Sequence, residues 1–180
     1  LTVVKSVLVT AFMAVIMLLA GFVFSAVAAY MAGLVGSSNN PISGVTIATV
    51  LSSSILLFAL YNAGVNVGPA AAIFIGAVVC CAAAIGGDNL QDLKTGYIVG
   101  ATPWKQQIMQ GIGVLSSSFV MMPVLWMLHQ RYGIASDNHL PIEMQGNTLE
   151  APQASLMANI ANGVFEQNLP WNLIIMGALL

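Results

Sequence analysis

The chain has 180 residues, of which 58% are hydrophobic and 6% charged, against about 25% charged in soluble domains. Four Lys/Arg and six Asp/Glu leave a net charge of −2, too small a bias to point to nucleic acid or an acidic partner. Lys5 is followed by no charged residue until Asp88, a stretch that no soluble fold of this size could keep in water. Disordered, collagen-like and disulfide-framework classes fail on the same composition.

The composition predicts an all-α, polytopic membrane protein: a partial transmembrane helical bundle with about four full spans, a truncated fifth, and short amphipathic or re-entrant helices. Leu1 is not an initiator Met, and the apolar run Leu173 to Leu180 has no finish. A spanning helix needs about 20 apolar residues, so an internal piece of a longer protein is expected.

The first span is predicted at about 6–36. At ~1.5 Å per residue it exceeds the ~30 Å hydrocarbon thickness, so it must tilt, project, or bend near Gly21. Ser37 to Gly44, with Asn39, Asn40, Pro41 and Ser43, is a dense cluster of helix breakers. The second span, about 45–61, carries Ser52, Ser53 and Ser54 among β-branched residues. Strand propensity competes there, but in a membrane the helix satisfies its own backbone.

Asn62 to Pro69 breaks the chain again, and the third span follows at about 67–86. Gly64, Gly68, Ala72, Gly76, Cys80 and Ala84 recur every fourth position. Such a stripe lets another helix approach closely; lining a substrate path is the competing reading. Cys80 and Cys81 are adjacent, a poor disulfide geometry without metal-ligand spacing around it, and read as small packing residues.

Residues 87–106 read as a polar linker holding a short amphipathic helix that ends near Gly96, with Asp88, Asp92 and Thr95 on one face. Thr102-Pro103-Trp104 opens the fourth span as N-cap, first helical residue and interface anchor. That span is placed at about 107–128, with Pro123 as a kink. Lys94 and Lys105 favour a cytoplasmic position for the linker before it.

Residues 129–150 form a polar loop with both histidines, read as solvated side chains. Ala151 to Glu166 reads as a helix with Leu156, Met157, Ile160 and Val164 on one side, too short and polar to span, and Glu166 facing water. Leu169-Pro170-Trp171 starts the truncated fifth span at 171–180. The pentapeptide Val-Leu-Ser-Ser-Ser occurs at 50–54 and 114–118; internal repeats occur in transporters, and coincidence in apolar sequence is the competing explanation.

Two polar groups can carry chemistry. Asp88, Asp92 and Lys94 are the ionisable cluster closest to the spans; they read either as a proton-coupling or substrate-contacting group, or as a solvated linker with acids near a helix start. Asn39, Asn40 and Ser43 surround Pro41, as a broken-helix site or as a surface turn. Asn62 and Asn66 present the same choice. No nucleophile elbow, phosphate loop, HExxH or paired CxxC occurs, so no enzyme activity and no metal or cofactor site is expected.

Three strings carry a family resemblance: Asn39-Asn40-Pro41-Ile42-Ser43-Gly44-Val45-Thr46-Ile47, the run from Gly87-Asp88-Asn89-Leu90-Gln91-Asp92-Leu93-Lys94-Thr95-Gly96 through Gln107, and Leu149-Glu150-Ala151-Pro152-Gln153-Ala154-Ser155-Leu156-Met157. They resemble the oligopeptide transporter (OPT) family, in its prokaryotic branch related to the yellow-stripe-like metal-chelate transporters. The resemblance implies that residues 1–180 are part of a single membrane transport domain. It further implies a secondary active importer of short peptides, peptide-like compounds or metal chelates, with the proton as coupling ion and no other cofactor. Asn39, Asn40, Asp88, Asp92, Lys94 and Gln107 become the substrate-binding or coupling candidates. The expected partners are the lipid bilayer, the small substrate and the transporter's remaining helices, in the bacterial cytoplasmic membrane. A passive channel and a structural membrane subunit are the alternatives.

Overall fold

The structure, a computed structural model, describes residues 7–61, 68–134 and 149–179. It contains α1 (Val7–Val35), a 3-10 turn at Ser37–Asn39, α2 (Ile42–Tyr61), α3 (Gly68–Val99), α4 (Pro103–Tyr132), α5 (Pro152–Phe165) and α6 (Trp171–Leu179). Among the described residues there is no strand; Ile134 and Leu149 form one isolated bridge. Among the described residues, four helices are long and apolar enough to cross a membrane: Thr10–Val35 of α1, Ile42–Ala59 of α2, and the whole of α3 and α4. The all-α partial bundle expected from composition is what the chain forms. The predicted turn at Asn62 and Asn66, and His139, lie outside the described residues.

Two compact units divide the chain, one within residues 1–87 and 157–180, the other within 88–156. In the first, Met13, Leu57, Ala72, Ile75, Val164 and Phe165 form one buried cluster, and Ala28, Val45, Val79 and Ala83 a second. Between helices in lipid the driving force is close packing rather than expulsion of water, and the small residues of α3 supply it. A Cβ on Gly76 would lie 2.4 Å from Val50 Cγ2, and one on Gly68 would meet the Phe165 ring at 2.1 Å. Phe165 also meets Phe58 edge-on, with centroids 6.0 Å apart and planes at 76°, a favoured aromatic geometry. The buried stripe on α3 is Gly68, Ala72, Ile75, Gly76, Val79, Ala83 and Gly87. A strict four-residue spacing overshoots the helical turn by about 40° per step, so Cys80 and Ala84 rotate partly off the face.

Two helices run on past the ends expected for them. No amphipathic linker follows the third span, because α3 continues through Gly86-Gly87 to Val99. Each helical glycine costs about 1 kcal/mol relative to alanine, and here both glycines are contact points: Ser25 lies against Gly86 and Asn40 against Gly87. In the second unit, α4 starts at Pro103, the first helical residue expected there, and runs through Pro123 to Tyr132, past the expected span end at 128. Pro103 occupies the first turn, where its missing N–H costs nothing. Thr102 holds the N-cap position with extended backbone (φ −80°, ψ 119°), but its side chain makes no capping bond. None of α4's residues is buried.

The buried side of α5 also differs. It consists of Ala161, Val164 and Phe165, while Leu156 is 42% exposed. Phe165 is seated on the space that Gly68 leaves open, which sets the rotation of the helix. Cys80 is half-buried, Cys81 is exposed, and neither is in a disulfide.

Candidate functional site

The second unit folds the end of α3 back against the start of α4 through Gly100, Ala101 and Thr102. Gly100 has φ +75°, a conformation that side chains rarely adopt. The Ala101 N–H closes the end of α3 by donating to Gly96 O at 2.8 Å. With α4 starting at Pro103, Gln106 and Gln110 stand one turn apart on the same face, and both reach Asp92. Gln106 Nε2 donates to the Asp92 backbone carbonyl at 3.0 Å, and Gln110 Nε2 donates to Asp92 Oδ2. Gly96 makes this approach possible, since a Cβ there would fall 2.0–2.4 Å from the Gln106 amide.

Asp92, Thr95, Gln106, Met109 and Gln110 line an open groove of about 390 Å³, within the ~300–1,000 Å³ typical of ligand sites. Gln106 Oε1 is buried and has no hydrogen-bond partner among the described residues. A buried acceptor left unpaired costs free energy, and an N–H or ammonium donor would recover it. An ionised Asp92 accepts from Gln110 with a charge-assisted bond. On protonation the carboxyl loses part of that acceptor capacity and gains a donor.

The other expected residues fall in different places. Asp88 and Gln107 are exposed, and their side chains make no hydrogen bond among the described residues. Lys94 is exposed, with its Nζ 5.8 Å from the centroid of the Tyr97 ring, a cation–π contact. The structure thus joins Asp92 to Gln106 and Gln110, not to Gln107. Gln106 and Gln110 were readable as an i, i+4 pair once Pro103 is taken as the first helical residue.

Asn39 and Asn40 belong to the first unit. Asn39 closes α1, its Nδ2 donating to Val35 O at 3.2 Å. Asn40 turns inward: its Nδ2 donates to Ala83 O at 3.4 Å, and its Oδ1 is buried without a partner among the described residues. Nearby in the same unit Ser25 Oγ donates to Ala82 O at 2.9 Å. Asn40 and Ser25 therefore tie α1 and the turn after it to successive carbonyls of α3. Among the described residues no group of three or more His, Cys, Asp or Glu is placed to hold a metal ion.

The family model for OPT oligopeptide transporter proteins matches residues 2–180. A Haemophilus influenzae protein, whose name assigns it provisionally to oligopeptide transport, is 41% identical over 165 residues. The match covers 87% of this chain and 26% of that relative, so the chain spans about a quarter of the relative's length. No solved structure matches the chain. A match along nearly the whole sequence, on apolar helices long enough to span a bilayer, shows that the chain belongs to the OPT oligopeptide transporter family.

Proposed function

We propose that this chain is part of a secondary active, proton-coupled importer of short oligopeptides, or of peptide-like and metal-chelate substrates, in the bacterial cytoplasmic membrane. Family membership supports the transport reading, and the Asp92–Gln110 hydrogen bond carries the coupling reading. In alternating access a rigid element must take two positions, and a proton gains leverage where its carboxyl holds one helix to another. Asp92 bridges α3 and α4 in this way. In this reading a proton on Asp92 takes part of the carboxyl's acceptor capacity and loosens the bridge, which gives a proton gradient a means of moving the hairpin. Asp88, Lys94 and Gln107 stand on the same hairpin as secondary contacts for substrate, and Asn39 and Asn40 as support for the α1–α2 break.

The test is uptake by the full-length protein in proteoliposomes, comparing labelled tripeptides with iron–chelate complexes, with and without an imposed proton gradient. Uptake above the equilibrium level that needs the gradient, lost in Asp92→Asn with the protein still folded, is the expected result. Uptake that follows the substrate gradient alone after the proton gradient is collapsed would identify a passive channel instead. Unchanged gradient-driven uptake by Asp92→Asn at every pH would remove Asp92 from coupling.

A further inference from the structure

The break between α5 and α6 carries a second polar groove, wholly within the first unit. α5 has 14 residues, roughly 21 Å at ~1.5 Å per residue, so it does not reach across a bilayer core by itself. Between them Gln167 takes a positive φ of 57°, and the backbone N–H groups of Glu166, Gln167 and Asn168 donate to the carbonyls of Asn162, Val164 and Gly163. The groove at this break measures about 640 Å³, with Asn159, Asn162, Glu166 and Asn168 along it and Leu169 and Ile174 as apolar walls. Asn159, Asn162 and Glu166 follow at i, i+3 and i+7, one face of a helical repeat. The buried residues Ala161, Val164 and Phe165 anchor α5 to the core.

Electrostatics singles out Glu166. It sits just past the C-terminal end of α5, where the helix dipole accumulates partial negative charge and cations are the favoured neighbours. No basic residue lies in the last turn of α5. The side-chain amides of Asn159, Asn162 and Asn168 make no hydrogen bond among the described residues, which leaves both their donors and their acceptors available. A carboxylate beside a negative helix end, flanked by exposed amides in an open groove with apolar walls, suits a primary ammonium attached to an amide backbone. We propose that this groove takes the protonated amino terminus of a peptide, with Glu166 as counter-charge and Asn159, Asn162 and Asn168 pairing with the first peptide groups. The proposal rests on the peptide-transport reading and adds to it which end of the substrate is read, and where.

The experiment measures binding of an equimolar tripeptide mixture, with free or N-acetylated amino termini, to the purified full-length protein in detergent. The wild type is expected to prefer free peptides by about tenfold or more, the scale of one charge-assisted hydrogen bond. Glu166→Gln should abolish that preference by weakening free peptides alone, and Asn159→Ala, on an exposed side chain, should weaken both sets alike. If Glu166→Gln keeps the wild-type preference, or if the wild type binds both sets equally, the ammonium site is overturned while peptide transport stands. If binding by Asn159→Ala is unchanged, the amide pairing fails. If neither set binds the wild type, the peptide reading fails and the site with it.

Discussion

Gly76 of α3 and Val50 of α2 meet so closely that the Val50 methyl group occupies the place of a side chain on residue 76. Val50 is 1% exposed and has no room to retreat. A bulkier residue at 76 must push the helices apart or twist Val50 off its rotamer, at about 1–3 kcal/mol for overpacking. Gly76→Val should lower the thermal unfolding temperature of the full-length protein in detergent. Val50→Ala should recover much of the loss in the double variant. Additive losses in the double-mutant cycle would show that the two positions do not share this contact.

Gly96 has the same relation to a polar partner. Any side chain there displaces the Gln106 amide from the Asp92 carbonyl, and the exposed hairpin can absorb the shift with little loss of stability. Gly96→Ala should therefore reduce gradient-driven peptide uptake while moving the unfolding temperature by only a small amount. Proteoliposome uptake and thermal unfolding, measured on the same preparation, separate the two effects. Wild-type uptake would show that the Gln106 contact is dispensable.

Most of the helices were legible because membrane helices announce themselves by uncharged apolar length, and the 3-10 turn at Ser37–Asn39 by its breakers. Gly86-Gly87 misled because local propensity and packing oppose each other there. As a pair they favour a break, yet each faces a neighbour, Ser25 or Asn40, that only a glycine admits. Asp92 was visible as a charge at the end of an uncharged run, and Pro103 as the first residue of α4. That Gln106 and Gln110 meet Asp92 depends on the fold-back at Gly100, which helical spacing alone does not give. The α5–α6 groove was hidden for a different reason: Glu166 taken singly looks like a surface acid, and its meaning comes from the helix end and the three asparagines beside it.

Phe165 holds α5 to the rest of its unit through two contacts, the space over Gly68 and the edge of the Phe58 ring. Removing a buried ring typically costs ~3–5 kcal/mol. Phe165→Ala should therefore destabilise strongly and release the face that positions Asn159 and Glu166. Phe58→Ala, which removes a partly buried neighbour, should cost less. Thermal unfolding ranks the two. Limited proteolysis near residues 152–165 should be accelerated in Phe165→Ala, and an unchanged cleavage pattern would mean that α5 is held elsewhere.

The two copies of Val-Leu-Ser-Ser-Ser use their serines alike until the last one. Ser53 and Ser117 each donate to the carbonyl three residues back, Val50 and Val114. Ser118 then donates to Val114 O and Leu115 O, but Ser54, its counterpart, is fully buried with no partner for its Oγ among the described residues. A buried hydroxyl left unpaired forfeits about 1–3 kcal/mol of solvation, and alanine fits the same volume without that penalty. Ser54→Ala should raise the unfolding temperature, whereas Ser118→Ala, on an exposed helix face, should leave it nearly unchanged. A fall in stability for Ser54→Ala would show that the hydroxyl finds a partner in the full-length protein. Loss of uptake with stability intact would place that partner on the transport path.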